Sequence, residues 1–252
     1  MKKIGNILLL VLLLPLSLYA STRGDVKIIE ASENIRYLGQ KISKEYLFFY
    51  QNPKKLELKD GIYDDIKLLE QSIIDIETIT NNKDSKNILD FLAYNKDEIK
   101  ELIEKPVDIE KSILMLDYSE SFLEGANAIE NAHKYNFSLE EKMLMMLKDV
   151  EYLLERASKY YIAYTLDIDK QNNFNNMNQA IEKIEKILKE VNSYHYPKSL
   201  FAEVREMNSS WSKYKQVLYK VKKLSIPSLI LTSTTNFEKS IKKIALYHKQ
   251  NQ

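Results

Sequence analysis

The sequence predicts an all-α protein made of two tandem antiparallel four-helix bundles, and three observations carry that expectation. Only 5 Gly and 5 Pro occur in 252 residues, beside abundant Leu, Ile, Lys and Glu, a composition that favours long helices over a turn-rich sheet. Apolar residues recur at three- and four-residue steps, as in Ile28, Ala31, Ile35, Leu38, Ile42 and Phe49, which fall on one stripe of an amphipathic helix. The chain also matches itself at a constant offset of 115 residues. Tyr37-Leu38 returns as Tyr152-Leu153, Ser43-Lys44 as Ser158-Lys159, and Leu114, Phe122, Ile129 and His133-Lys134 as Leu229, Phe237, Ile244 and His248-Lys249. One offset held without gaps through helices and loops reads as the duplication of a four-helix unit.

Residues 1–20 read as a secretory signal peptide. Lys2 and Lys3 precede the apolar run Ile7 to Leu18, and Ala20 supplies a small residue before a cut at Ser21. The run is interrupted by Pro15 and is shorter than the roughly 20 residues that span a bilayer. The expected product is a soluble periplasmic protein, with an uncleaved N-terminal anchor as the alternative. With Cys 0, neither a lipid anchor nor disulfides are available, so a hydrophobic core must hold the fold.

The first unit, 21–136, is expected to contain four helices. One runs from about Asp25 to Tyr50 and stops at Asn52-Pro53, since proline disfavours helix in the residue before it. The next carries Ile62, Ile66, Leu69, Ile73 and Ile76; the third carries Ile88, Phe91, Leu92, Ile99, Leu102 and Ile103 and ends before Pro106; the fourth carries Ile109, Ile113, Leu116, Phe122, Ala126 and Ile129. The second unit, 137–252, should place helices at about Leu139 to Leu166, Phe174 to Tyr194, Lys198 to Leu224 and Ile226 to Gln250. Ser138 with Glu141 three residues on forms a capping box, and Pro197 and Pro227 stand where helices can begin. Leu114/Leu229, Phe122/Phe237 and Ile129/Ile244 are expected to be buried at matching places.

Composition excludes several function classes. Lys+Arg 37 against Asp+Glu 36 gives +1, and loss of Lys2 and Lys3 with the leader takes the balance to −1, so there is no electrostatic case for nucleic acid. His133, His195 and His248 are far apart, and no Gly-rich phosphate loop is present. No metal site, cofactor, nucleophile–base pair or enzyme is therefore expected. His133 and His248 sit beside Lys at the ends of final helices, where a cation complements the helix dipole, and His195 reads as another helix-end residue. The Met143 to Met146 run reads as core filling. Trp211 stands opposite Lys96 under the repeat and so belongs to the second unit alone.

One stretch, Ile29 to Leu47, carries a second stripe beside its apolar one: Ser32, Arg36, Gly39, Gln40 and Ser43. Small residues there let another helix approach closely, with one guanidinium at the contact. On periodicity alone, Arg36 and Gln40 are either solvated or held at a ligand. The same stretch resembles the first-helix motif of the periplasmic sensor domains of NarX-type nitrate/nitrite kinases and PilJ-type methyl-accepting transducers. Ile29, Arg36, Leu38, Gln40, Ile42 and Lys44 match that motif and Lys41 is a conservative stand-in, while its small Gly and first Arg are Glu33 and Asn34 here.

The resemblance implies a four-helix sensor domain in each copy, a small oxyanion such as nitrate or nitrite bound near Arg36, Gln40 and Lys41, and a signal passed as a helix displacement. With no output domain of its own, the protein would act through an inner-membrane chemoreceptor or sensor kinase. In such domains the motif Arg lies where two first helices meet. Here the second copy supplies Glu151 at the equivalent position. Pairing of two chains as a homodimer through their first copies would bring Arg36 to its own mate, whereas pairing within one chain would set Arg36 against Glu151. The rival expectation is a periplasmic helical scaffold or adaptor that binds no small ligand.

Overall fold

The computed structural model describes residues 23–252, and the expected signal segment 1–20 with its cut before Ser21 lies outside the described residues. Eight α-helices and no strand occur among the described residues: α1 (Arg23–Gln51), α2 (Leu56–Ile79), α3 (Lys83–Glu104), α4 (Ile109–Ala132), α5 (Leu139–Thr165), α6 (Lys170–Ser193), α7 (Phe201–Tyr219) and α8 (Pro227–Gln250). A single 3-10 turn, Lys198–Leu200, precedes α7.

Local chemistry fixes most boundaries. Asn82 caps α3 by accepting from the Ser85 amide, and Asp108 caps α4 by accepting from the Lys111 amide. Ser138 and Glu141 form the expected capping box at α5, which satisfies donors that the first turn of a helix leaves free. Pro227 opens α8 in its first turn, where its missing amide costs nothing. α7 is shorter than expected. It ends at Tyr219, and Lys220 to Lys223 form turns.

Helix starts and ends recur between the two halves at an offset close to 115, as in Leu56–Ile79 against Lys170–Ser193. In the first half α1 to α4 close a ring, each helix packed on the next and α4 back on α1. In the second half α5 packs on α6 and α8, and α7 on α8, but α6 and α7 approach each other less closely than α2 and α3 do. Trp211 lines the resulting groove with Leu188 and Asn192, and its ring packs on Tyr214 and Phe237.

The two halves are joined chiefly by α1 against α5. The contact runs in parallel: Arg36 lies over the Tyr152 ring, Lys44 meets Glu155, and Gln51 bonds Thr165. Against α4, by contrast, α1 is antiparallel, with Gln40 at Ser119 and Arg36 at Asn127.

Phe122 and Phe237 are both fully buried, as are Ile129 and Ile244. Leu114 and Leu229 share an environment too, but it is solvent: they are 43 % and 41 % exposed, against the expectation of burial. The buried residues of α4 are Ser112, Met115, Ser119, Phe122, Leu123, Ala126 and Ile129, a stripe that leaves Leu114, Ile109 and Ile113 on the outside. Serines hold core positions in that stripe while leucine and isoleucine stay wet, so hydrophobicity alone misreads its first turns. Phe91 is likewise exposed. On α1, every residue of the apolar stripe and every residue of the small and polar stripe is buried. The helix that uses Gly39 for close approach is α4. A β-carbon on Gly39 would fall 2.7 Å from Cβ of Phe122.

Candidate functional site

Burying both stripes of α1 brings its polar side chains into the seam between α4 and α5. Arg36 keeps only a small fraction of its surface, and a buried guanidinium needs partners. It finds them within the chain. Nη1 donates to Asn127 Oδ1 at 2.8 Å, Nη2 lies 2.8 Å from Glu130 Oε2 and also meets Glu33, and the guanidinium carbon stands 5.8 Å from the centre of the Tyr152 ring. Nε of Arg36 and Oε2 of Glu33 are buried without a partner.

The other expected site residues do not converge on Arg36. Gln40 donates to the Ser119 carbonyl at 2.8 Å, and its own Oε1 is buried and unpaired. Lys41 turns to α2, donating to Asp65 at 2.7 Å with Glu45 at 3.6 Å. Burial works to lower its pKa, and these carboxylates overcome that and raise it. Ser32 bonds the Ile28 carbonyl one turn back, and Ser43 Oγ is buried without a partner. Glu151 does not ion-pair with Arg36, whose carboxylate contacts are Glu33 and Glu130. Burial pushes Glu151 up to about 7, with Lys242 acting against it, and its Oε1 is unpaired.

Between the two halves the electrostatics centre on Lys44 and Lys159, which are equivalent under the repeat. Lys44 Nζ lies 2.6 Å from Glu155 Oε2, off the axis of a good hydrogen bond. Burial acts against the Lys44 charge, but Glu155 and Glu45 outweigh it and hold the ammonium protonated. Glu155 itself is pushed up to about 8 by burial despite Lys44, with Glu238 and Glu45 adding in the same direction. Lys159 crosses the other way, donating to Ser119 Oγ at 2.7 Å and to Glu120 Oε1 at 2.6 Å. Burial brings it down to about 8 even so. Arg156 and Tyr160 complete the cluster on Glu120.

At the end of the molecule where α1 and α5 begin, each half has a histidine–carboxylate clasp from its last helix to its first. His133 Nδ1 lies 3.1 Å from Asp25, and His248 Nδ1 lies 2.6 Å from Glu140. The partners obey the repeat as the histidines do. The far nitrogen of His133 reaches Thr80 and Ser85, and that of His248 reaches Tyr196. The histidines thus tie helices together through both ring nitrogens, where sequence reasoning saw only helix-end cations. The matching of Asp25 with Glu140 at the repeat offset was a signal that could have found the clasp.

Among the described residues no helix is long and apolar enough to cross a membrane, and no group of three or more His, Asp or Glu could hold a metal ion. Set against protein-family models, curated proteins and solved structures, the chain finds no match.

Proposed function

We propose that this protein is a non-catalytic, exported helical scaffold or adaptor that acts on a membrane receptor or kinase and takes no small anion at its motif arginine, which serves as an internal clasp. In the sensor domains that α1 resembles, two first helices meet between chains. The corresponding contact here, α1 on α5, is made within one chain. The observation that carries the reading is the surrounding of Arg36: two carboxylates, an amide oxygen and an aromatic face already occupy its guanidinium. An anion entering there would have to displace Glu33 or Glu130 and would meet their charges.

A second reading, in which a small oxyanion such as nitrate or nitrite still binds, draws on the unpartnered Nε of Arg36. Thermal unfolding of the wild-type protein and of Arg36→Ala, each with and without 10 mM nitrate or nitrite, separates the two. The clasp predicts a lower midpoint for Arg36→Ala and no added stabilisation of wild type by either anion beyond that of chloride. Anion-specific stabilisation that vanishes in Arg36→Ala would overturn it.

A further inference from the structure

The second half carries a surface pocket at the junction of α6 and α7. Its volume is about 560 Å3, and it is lined by Asn192, Tyr194, His195, Tyr196, Phe201 and Arg205, with Val204 beneath. Volumes of this order are those of small-molecule sites. The lining reads most clearly against the duplicated unit. Where the first half has Ile79, Asn81 and Lys86, the second has Tyr194, Tyr196 and Phe201. Where the first half has the acids Glu77 and Asp90, the second has Asn192 and Arg205. The same place in the fold has thus lost both carboxylates and gained three aromatic rings and a guanidinium.

The tyrosine hydroxyls are engaged inside the protein, Tyr194 on Glu140 and Tyr196 on His248. What these residues offer a ligand is therefore ring carbon. The Tyr194 and Tyr196 rings stand 4.7 Å apart, and Tyr247 and His248 pack behind them as a rigid backing. Phe201 is half exposed at the opposite lip. Arg205 is exposed, donates Nε to the Phe201 carbonyl, and makes no ion pair among the described residues. Its terminal nitrogens remain for a ligand.

We infer that this pocket binds a small planar aromatic carboxylate, the ring lying among Tyr194, Tyr196 and Phe201 and the carboxylate taken by Arg205. Aromatic faces accept a flat apolar body, and a guanidinium fork suits a carboxylate. A lining with no acidic side chain favours an anion over a cation. The inference goes beyond the clasp reading, because it uses neither Arg36 nor the α1–α5 seam.

The test is isothermal titration of the intact protein with 2-naphthoate and with uncharged 2-naphthamide. The expected result is one site with a dissociation constant below about 1 mM, and amide binding about 10-fold weaker, the difference of one charge-assisted contact. Arg205→Ala should abolish the preference for the acid. Phe201→Lys, which restores the residue of the first half, should abolish binding of both probes. Both side chains are exposed, so the unfolding midpoints should match wild type and a loss of binding cannot be ascribed to misfolding. Absence of naphthoate binding to wild type, equal affinity for acid and amide, or binding unchanged in both variants would each overturn the inference.

Discussion

Replacing Lys44 by Met while Glu155 stays in place strands a carboxylate in the seam between the two halves. The side chains are 6 % and 1 % exposed and their charged atoms lie 2.6 Å apart, so water cannot take over the role of the lost partner. Breaking a buried pair from one side costs about 3–5 kcal/mol, whereas replacing both members by apolar groups of similar volume is often neutral or stabilising. Lys44→Met and Glu155→Leu are each expected to cost about 3 kcal/mol at pH 9, and the double variant to lie within about 1 kcal/mol of wild type. The cost of Lys44→Met should be smaller at pH 6. Burial has already pushed Glu155 up to about 8, so once unpaired it takes up a proton and sheds its charge. Urea unfolding followed by circular dichroism at the two pH values gives the whole cycle. Additive single effects below about 1 kcal/mol, the behaviour of exposed pairs, would refute the reasoning.

Four further outcomes follow from single sites. Gly39→Ala gains about 1 kcal/mol of helix propensity but sets a β-carbon 2.7 Å from Phe122 Cβ, an atom fixed to the α4 backbone, so overpacking of about 1–3 kcal/mol wins and the midpoint falls in a thermal melt. Gly61→Ala, whose β-carbon would meet only a flexible Glu45 oxygen at 3.8 Å, should raise the midpoint in the same assay. Glu151 has its folded pKa raised to about 7, above the roughly 4.3 of an unfolded chain. The folded state therefore holds the extra proton between those values, stability falls as pH rises from about 4.5 to about 7, and Glu151→Gln should flatten that slope in urea titrations. Ser138→Ala removes the side-chain acceptor of the α5 capping box and should cost about 1 kcal/mol in urea unfolding.

Much of the fold was legible because it is written in short-range chemistry. The α1 stripes, the caps at Ser138 and Pro227 and the repeat offset all lie within a few residues or along one constant shift, and they locate the helices closely. Positions where two stripes compete were not legible. Ser112 and Ser119 are buried while Ile113 and Leu114 are exposed, since the two serines share the α4 face of Met115, Phe122, Ala126 and Ile129, which carries most of that helix's core contacts. The candidate site was half legible. The stretch around Arg36 was found, but its partners Asn127 and Glu130 come from α4, ninety-odd positions along the chain, and no periodicity announces them. Glu151 looked like the counter-ion of Arg36 because it shares the repeat position. In the parallel packing it is Tyr152 that meets Arg36.

The packing of α1 on α5 within one chain is open to a direct test. Gln51 and Thr165, at the far ends of these helices, are joined by a hydrogen bond of 3.1 Å, and with Cys 0 the pair Gln51→Cys and Thr165→Cys introduces the only thiols. Treatment of that variant with a short bis-maleimide, followed by intact-mass analysis across a range of protein concentrations, reads the pairing directly. The expected product is a cross-link inside the monomer, with a yield independent of concentration. Cross-linked dimers whose yield rises with concentration, or no internal product at all, would contradict it.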